Sequence, residues 1–323
     1  MCKRAVAAGN AGADGDVCLG MVSNGQGKYE QGVQYYQEAL DIDKTSELAY
    51  AGLAAAYEGL DQKKEAEESL QKLLQMPASA RSGYNLLGGF YHRQGRDLEA
   101  AQMFKDYIAL APDAFVGYYN LGAIYVSLGR YVDAIEELEQ SIMIRPTAEG
   151  YTNLGTAYFD LGQYDRAIPR FEQAVKLDDR RFDYWGNLGD AYYWTTGRRE
   201  QAPQAYRRAI ALATESLKVN PHDAETALYV AEYHAMLGER EPAMDYLRRA
   251  QERMGGSAEF KFNAAIVFAQ LGESERSLTA LREALAAGYP AEQIDVTPNF
   301  TKLRGDPRFQ ELRRRYEKTE RKS

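Results

Sequence analysis

Apolar side chains recur every three or four residues along most of the chain, in short segments that come in pairs. Residues spaced this way lie on one face of an α-helix, so each segment is predicted to be an amphipathic helix. Two such helices joined by a short turn form a helical hairpin. The clearest pair has Tyr118, Leu121, Gly122 and Tyr125 before Gly129, and Ala134, Leu138 and Ser141 after it. Small residues such as Gly122 are expected where the two helices approach closely, and Pro146 is expected to end the second helix.

A glycine marks the turn of almost every pair. These glycines are Gly27, Gly95, Gly129, Gly162, Gly197, Gly238 and Gly272. The first interval is 68 residues with Asp61 halfway, and the later intervals are 34, 33, 35, 41 and 34 residues. Glycine suits the turn after a helix because it enters the left-handed conformation without steric cost, and Asp tolerates that conformation better than most residues. The spacing predicts a series of repeated hairpins, with Asp61 in the place of a glycine.

This pattern resembles the tetratricopeptide repeat, a helix-turn-helix unit that stacks into arrays. Eight repeats fit the chain, at residues 13–46, 47–80, 81–114, 115–147, 148–181, 182–223, 224–257 and 258–291. The resemblance implies an all-α fold, a right-handed superhelical α-solenoid of hairpins with a C-terminal capping helix. Residues 1–12 are predicted to be a flexible N-terminus, and residues 292–323 a C-terminal cap with a basic tail.

The later repeats depart from the regular pattern. The sixth has one extra residue before Gly197 and a second helix predicted to continue about two turns further, to Pro221. The segments YWGNLGDAYYWTTGRREQA and YHAMLGEREPA, followed by ALAAGYP and DPRF, resemble the C-terminal repeat arrays of bacterial serine/threonine kinases and winged-helix regulators. That resemblance implies a sensor or docking role in a bacterial signalling system.

A final helix is predicted to begin at Asp306 and Pro307, which have the order of a helix cap and a first-turn proline. Such a helix would cover the apolar face of the last repeat, with Phe309 and Leu312 as its inward contacts. Between residues 302 and 322, nine Lys and Arg stand against four acidic residues, a net charge of +5. We interpret this segment as a solvated capping helix with cations toward its end.

Aromatic residues fall into two sets. The packing positions of the repeats hold Tyr57, Tyr84, Tyr91, Tyr118, Tyr125, Tyr151, Tyr158, Tyr192, Trp185 and His234. In tetratricopeptide arrays the first helix of each hairpin lines the groove, and positions beside the packing residues face it. The aromatics at such positions are Tyr119, Phe159, Tyr193, Trp194, Tyr229 and Phe262. Aromatics that packing does not require indicate a binding surface, although contact between adjacent first helices would also explain them.

An asparagine recurs on the first helices. The series is Asn120, Asn153 and Asn187, each directly before a Leu-Gly pair, with Asn263 in the eighth repeat and Tyr229 interrupting it in the seventh. Asn is a mediocre helix former, so propensity does not explain the series. It resembles the asparagine ladder of O-GlcNAc transferases, which holds extended peptide backbone. We predict solvent-facing side chains that bind peptide; the alternative is that each Asn bonds between neighbouring repeats.

Composition narrows the class of protein. With 45% hydrophobic and 27% charged residues the chain is expected to fold, and its net charge of -8 does not favour nucleic acid or anionic membrane as a partner. A secretory signal and an apolar stretch of membrane-spanning length are both missing, so we expect no membrane segment and a cytoplasmic location. Cys2 and Cys18 fit no disulfide framework and no metal spacing, and are interpreted as a free thiol and a small core residue.

Catalytic chemistry is not indicated. His92 and Arg93 resemble the start of a kinase HRD loop, but Gln94 stands where the Asp is needed and no phosphate-binding loop accompanies them. No nucleophile motif or metal-ligand cluster is present, so we expect no enzyme activity, no catalytic residue, no metal and no cofactor. Arg93 is the only basic groove candidate, which disfavours a carboxylate clamp like that of the heat-shock chaperone co-factors.

The sequence therefore predicts a protein-interaction scaffold that binds an extended peptide or a partner protein in its groove. Two alternatives stay open: a structural subunit that assembles with its own copies, and an accessory arm of a kinase or transcription regulator encoded upstream. Neither the partner nor the oligomeric state has a signal in the sequence.

Overall fold

The computed structural model describes residues 12–291 and 293–320, and within these ranges it contains helices and turns but no strand. The predicted all-helical array of consecutive hairpins is confirmed. The described residues divide into two compact units, one ending at Arg145 and the other beginning at Pro146.

Eight helices form four successive hairpins in the N-terminal unit. They are α1 (Gly12–Gly25), α2 (Tyr29–Ile42), α3 (Glu47–Gly59), α4 (Lys63–Leu74), α5 (Ala80–Arg93), α6 (Asp97–Leu110), α7 (Phe115–Ser127) and α8 (Tyr131–Ile144). Each helix packs mainly on its predecessor and its successor, which is the contact pattern of a repeat array.

The C-terminal unit has four further hairpins and a cap. Its helices are α9 (Ala148–Asp160), α10 (Tyr164–Leu177), α11 (Phe182–Trp194), α12 (Ala202–Val219), α13 (Ala224–Met236), α14 (Arg240–Met254), α15 (Ala258–Gln270), α16 (Ser274–Ala286), α17 (Gln293–Val296) and α18 (Pro307–Glu320). Short 3₁₀ turns at Arg199–Gln201 and Pro298–Phe300 connect some of them. The hairpins follow the predicted repeats in order, while the exact boundaries between repeats stay predictions. Residues 1–11 and 321–323 of the predicted termini lie outside the described residues.

The turn prediction is confirmed at every position. All seven predicted turn glycines have a positive φ, between 68° at Gly129 and 78° at Gly197. Asp61 takes the same conformation with a φ of 56° and, among the described residues, is the only non-glycine that does. The left-handed turn brings the second helix of each hairpin back against the first.

Close approach of the paired helices is achieved by pressing a large side chain of the second helix onto a glycine of the first. A Cβ atom added to Gly122 would lie 2.5 Å from Cγ of Leu138, and one added to Gly155 would lie 2.6 Å from the ring of Phe171. Both distances are too short for real contacts, so the space that glycine leaves is filled by its partner. Gly122 therefore occupies the close-approach position that the sequence predicted.

The longer second helix predicted after Gly197 is also confirmed. Helix α12 has 18 residues, whereas the second helices of the N-terminal unit have 12 to 14. Tyr206 on this helix is fully buried and stacks on Tyr233 of α13, with ring centroids 5.9 Å apart.

The cap is formed as predicted. The side chain of Asp306 accepts a hydrogen bond from the backbone N–H of Arg308 at 2.9 Å, and α18 follows directly. Phe309 and Leu312 are buried, with exposures of 2% and 9%, and join the apolar core formed by the last hairpins. The apolar face of the final repeat is therefore covered by the chain itself.

Several predicted core residues are less buried than expected. Tyr91, Tyr125 and Tyr158 are buried. The half-buried ones are Tyr57, Tyr84, Tyr118, Tyr151, Tyr192, Trp185 and His234. A repeat array has only two layers of helices, so side chains at these positions keep part of their surface exposed.

Cys18 differs from its interpretation as a packed thiol, since it is half-buried and disulfide-bonded; Cys2 lies outside the described residues.

None of the helices in the described ranges combines the length and apolar character that a bilayer crossing requires.

Candidate functional site

A pair of asparagines spans two neighbouring first helices of the N-terminal unit. Asn120 on α7 donates a hydrogen bond from Nδ2 to Oδ1 of Asn85 on α5, at 2.8 Å. Asn120 was predicted to face solvent, but both side chains are half-buried. Asn120 makes the bond between neighbouring repeats that was the alternative interpretation. An amide carries two donor hydrogens and two acceptor lone pairs, so a single bond leaves most of its capacity for another ligand.

An open cleft of about 260 Å³ lies beside this pair, between α5 and α7. Arg93 lines it, but its guanidinium already donates to both carboxylate oxygens of Glu58, at 3.1 and 2.8 Å. His92, also at the cleft, has its Nδ1 2.6 Å from Oδ1 of Asp97. Because the positive charge of Arg93 is neutralised, the cleft does not have the free cation that a carboxylate clamp needs.

The remaining members of the asparagine series lie in the C-terminal unit. Asn153 is on α9, Asn187 on α11 and Asn263 on α15, and each is half-buried. Their placement on first helices agrees with the pattern from which they were predicted. Their role in binding a peptide stays a prediction.

Three of the predicted groove aromatics have aromatic neighbours. Phe159 lies 4.9 Å from the ring of Tyr164, and Tyr193 meets Trp194 edge to face at 5.0 Å. Tyr119 is half-buried on α7. Each of these side chains keeps part of its surface open to solvent, as a binding residue must.

Two of the predicted groove aromatics, Tyr229 and Phe262, each contact two other aromatic rings. Tyr229 is half-buried between Phe182, at a centroid distance of 5.7 Å, and Tyr233, at 6.3 Å. Phe262 was predicted to be a groove residue, and this is wrong, because only 3% of it is exposed. Its ring stacks on Tyr289 at 4.0 Å and meets Phe300 edge to face at 5.5 Å. Both partners lie in residues 287–306, the C-terminal segment that follows α16, and the spacing of residues on the first helices could not reveal them.

The C-terminal segment also lies against Tyr193 and Trp194. These two residues share a cleft of about 170 Å³ with Pro298, Asn299 and Lys302. The hydroxyl of Tyr193 donates to Oε1 of Gln270 on α15 at 3.4 Å and accepts a hydrogen bond from Arg199. The guanidinium of Arg199 lies over the Tyr193 ring, 4.0 Å from its centroid. Access to these aromatics is therefore limited from the side of the cap.

Half-buried carboxyl groups with raised pKa values lie on first helices of the C-terminal unit. Burial raises the pKa of Asp160 to about 7. It raises the pKa of Asp190 to about 6, even though the hydroxyl of Tyr206 donates to Oδ1 of Asp190 at 2.6 Å and partly lowers the value. The pKa of Glu232 is raised well above its ordinary value, first by burial and then by the negative charges of Asp190 and Glu259. In the described ranges no group of three or more His, Cys, Asp or Glu side chains is placed to hold a metal ion.

Comparison with known families identifies the repeat. Three family models, each described as a tetratricopeptide repeat, match residues 24–82, 113–180 and 152–216. The chain is a tetratricopeptide-repeat protein. A search of curated proteins finds no match.

Comparison with solved structures finds one match over most of the chain and others over about half of it. The anaphase-promoting complex hetero-tetramer Cut9–Hcn1 matches with a TM-score of 0.57 and 16% identity, over 88% of this chain and 55% of that one, which shows a common fold. A thermophilic tetratricopeptide-repeat protein of Thermus thermophilus matches with a TM-score of 0.45 and 22% identity, over 55% of this chain and 98% of that one. MamA matches with a TM-score of 0.43 and 26% identity, over 50% of this chain and 95% of that one.

Three residues on the first helices of this tetratricopeptide array were not predicted from the sequence. Asn85 was overlooked because it stands two residues before its Leu-Gly pair rather than directly before it. Asp190 and Glu232 occupy the same position of successive repeats, two residues before Tyr192 and His234, and follow Asn187 and Tyr229 by three. Residues three apart on a helix are neighbours on one face, so this equivalence was a usable signal for a polar binding face.

Proposed function

We propose that this chain is a protein-interaction scaffold whose first-helix faces bind an extended peptide segment of a partner protein. The observation that carries the proposal is the Asn85–Asn120 pair beside the open cleft between α5 and α7. Repeat arrays expose long surfaces of this kind, and side-chain amides pair with peptide backbone without reading its sequence. A role inside a bacterial signalling protein is the finer form of this proposal and rests on the resemblance of the last three repeats.

The affinity expected from these amide hydrogen bonds is modest, and the binding should tolerate different peptide sequences. Each amide hydrogen bond contributes about 0.5–1.5 kcal/mol net, so the asparagines alone do not give high affinity. The half-open aromatics, such as Tyr119 and Phe159, are suited to take apolar side chains of the peptide. Amides would then align the peptide, and the aromatics would select its sequence.

The test begins with selection of binders from a random peptide display library on the wild-type chain, followed by calorimetric titration of the selected peptides. The variant is Asn85→Ala combined with Asn120→Ala, and we expect at least tenfold weaker binding, which corresponds to about 1.4 kcal/mol. Its matched control is Gln102→Ala with Gln140→Ala, which removes two exposed amides from second helices. Equal affinities of the asparagine variant and the wild-type chain for every selected peptide would refute the proposal.

A further inference from the structure

The carboxylates of Asp190 and Glu232 lie on neighbouring first helices of the C-terminal unit, α11 and α13. The two helices meet where Tyr233 passes over Gly186; a Cβ atom added to that glycine would be 2.2 Å from the Tyr233 hydroxyl. Asp190 has a donor, the Tyr206 hydroxyl at 2.6 Å. Glu232 differs, because its Oε1 is buried and has no hydrogen-bond partner. A carboxylate oxygen withdrawn from water without a donor is unfavourable, and proteins rarely keep one without a use.

The charges around Glu232 are all of the same sign. Asp190 and Glu259 both act on Glu232, and both disfavour its ionised form. Within the described ranges, no Lys or Arg forms an ion pair with any of these three residues; the nearby Glu239, by contrast, is paired with Arg207 at 2.7 Å. The face therefore has acidic groups without an internal counter-charge, and a cation from outside would stabilise their ionised forms.

Three tyrosines are close enough to the acidic groups for the charges to act on their phenols. Tyr229 and Tyr233 stack at 6.3 Å on α13, and the pKa of both phenols is raised by burial and by the charge of Glu232. The pKa of Tyr289 is also raised, first by burial and then by the negative charges of Glu259 and Glu232. Aromatic faces attract an ammonium or guanidinium group, and the attraction grows when the cation is desolvated.

We propose that this acidic face, formed by Asp190, Glu232 and Glu259 with the rings of Tyr229 and Tyr289, binds a Lys or Arg side chain of the partner peptide. The proposal rests on the proposed function and specifies the chemistry of the ligand. Glu232 is the residue that pairs with the cation, since its buried Oε1 has no donor inside the protein and the side chain as a whole is only half-buried. Asp190 and Glu259 add the negative charge that attracts it, and the tyrosine rings pack along its aliphatic stem.

Charge complementarity supports a basic ligand that belongs to another protein. The segment from residue 302 to residue 322 has a net charge of +5, so the rest of the chain has a charge of -13. An acidic body attracts basic peptides over a range of about 10 Å at 0.1 M salt. The basic end of a second copy is the competing occupant, and the experiment separates it from a foreign peptide.

The experiment uses the full chain and the peptides selected from the display library on wild-type protein. We expect Lys or Arg to be enriched at one position of these peptides. Replacing that residue with norleucine should weaken binding to the wild-type chain at least tenfold. Glu232→Gln should weaken binding of the unmodified peptide by a similar factor, and the norleucine peptide should not distinguish Glu232→Gln from wild type. This double-mutant cycle isolates the contact between the two groups.

A second readout separates binding from structure. Gln has the shape of Glu without its charge, so Glu232→Gln should melt at a higher temperature than wild type when no peptide is present, at pH 7.5. A residue that only stabilised the fold would lower the melting temperature instead. The matched control is Glu252→Gln, an exposed carboxylate on α14, which should alter neither the affinity nor the melting temperature.

Outcomes for the two proposals are distinct. If no library peptide binds the wild-type chain, the proposed function fails. If peptides bind and respond to the asparagine variant but show no basic residue, or bind Glu232→Gln as well as wild type, only the cation site fails. Concentration-dependent self-association of the wild-type chain that Glu232→Gln abolishes would identify a second copy as the occupant and overturn the proposal.

Discussion

Two adjacent glycines on α5, Gly88 and Gly89, should respond in opposite directions to the same substitution. A Cβ atom added to Gly88 would lie 2.8, 2.9 and 3.1 Å from three ring atoms of Phe104. A Cβ atom added to Gly89 would meet only Nη1 of Arg93, at 3.4 Å. Phe104 is 3% exposed and fixed in the hairpin core, whereas Nη1 is the far end of a flexible side chain.

The magnitude follows from two terms. Replacing a mid-helix glycine with alanine gains about 0.5–1 kcal/mol from backbone entropy, and this gain is common to both positions. Overpacking a filled core costs about 1–3 kcal/mol, and this cost applies only to Gly88→Ala. We therefore expect Gly89→Ala to raise the free energy of unfolding by up to about 1 kcal/mol. Gly88→Ala should be about 1–3 kcal/mol less stable than Gly89→Ala.

Urea denaturation followed by circular dichroism measures both variants under the same conditions. Repeat arrays can unfold in steps, so the first transition that the two variants shift is the one to compare. Combining Gly88→Ala with Phe104→Leu tests the cause, because a smaller partner should reduce the cost of the added methyl group. If Gly88→Ala proves as stable as Gly89→Ala, the close-packed hairpin described above is incorrect.

Two further predictions concern the C-terminal unit. The pKa of Asp160 is about 7 in the folded chain against 3.8 for the free side chain, so the folded state binds this proton more tightly and loses stability as the pH rises from about 4 to about 7. Asp160→Asn should therefore unfold at higher urea concentration than wild type at pH 8, with a difference that shrinks toward pH 4; a difference independent of pH would contradict this explanation. Phe262→Ala should lower the free energy of unfolding by about 3–5 kcal/mol because the ring is buried between Tyr289 and Phe300. Tyr119→Ala, at a half-buried position, should lower the free energy of unfolding clearly less in the same experiment. Equal losses for the two variants would contradict the burial of Phe262.

The turns and hairpins could be predicted from the sequence because their determinants are local. A left-handed turn depends on the residue that occupies it, and Gly129 or Asp61 is recognisable without any knowledge of its neighbours in space. The faces of each helix follow from a spacing of three or four residues. The cap at Asp306 and the inward positions of Phe309 and Leu312 were predictable for the same reason.

Exposure on the first helices was decided by tertiary structure. Phe262 has the spacing of a groove residue, but the C-terminal segment folds over it with Tyr289 and Phe300. Asn120 has the position of a free ladder residue, but it bonds to Asn85, which is 35 residues earlier in the chain. Contacts over such distances depend on how whole hairpins pack, which no local pattern contains.

The same limit applies to the acidic face. Asp190 and Glu232 look like ordinary surface acids of an amphipathic helix, and their equivalence in successive repeats is the only trace of a joint role in the sequence. Burial against Tyr206 and Tyr233, and the absence of a donor for Oε1 of Glu232 among the described residues, arise only when α11, α12 and α13 pack together. The sequence by itself determined the hairpins and their order, because turn conformation and helical periodicity are local properties. Only the tertiary structure decided which side chains could meet a ligand, because burial and electrostatic environment are set by residues distant along the chain.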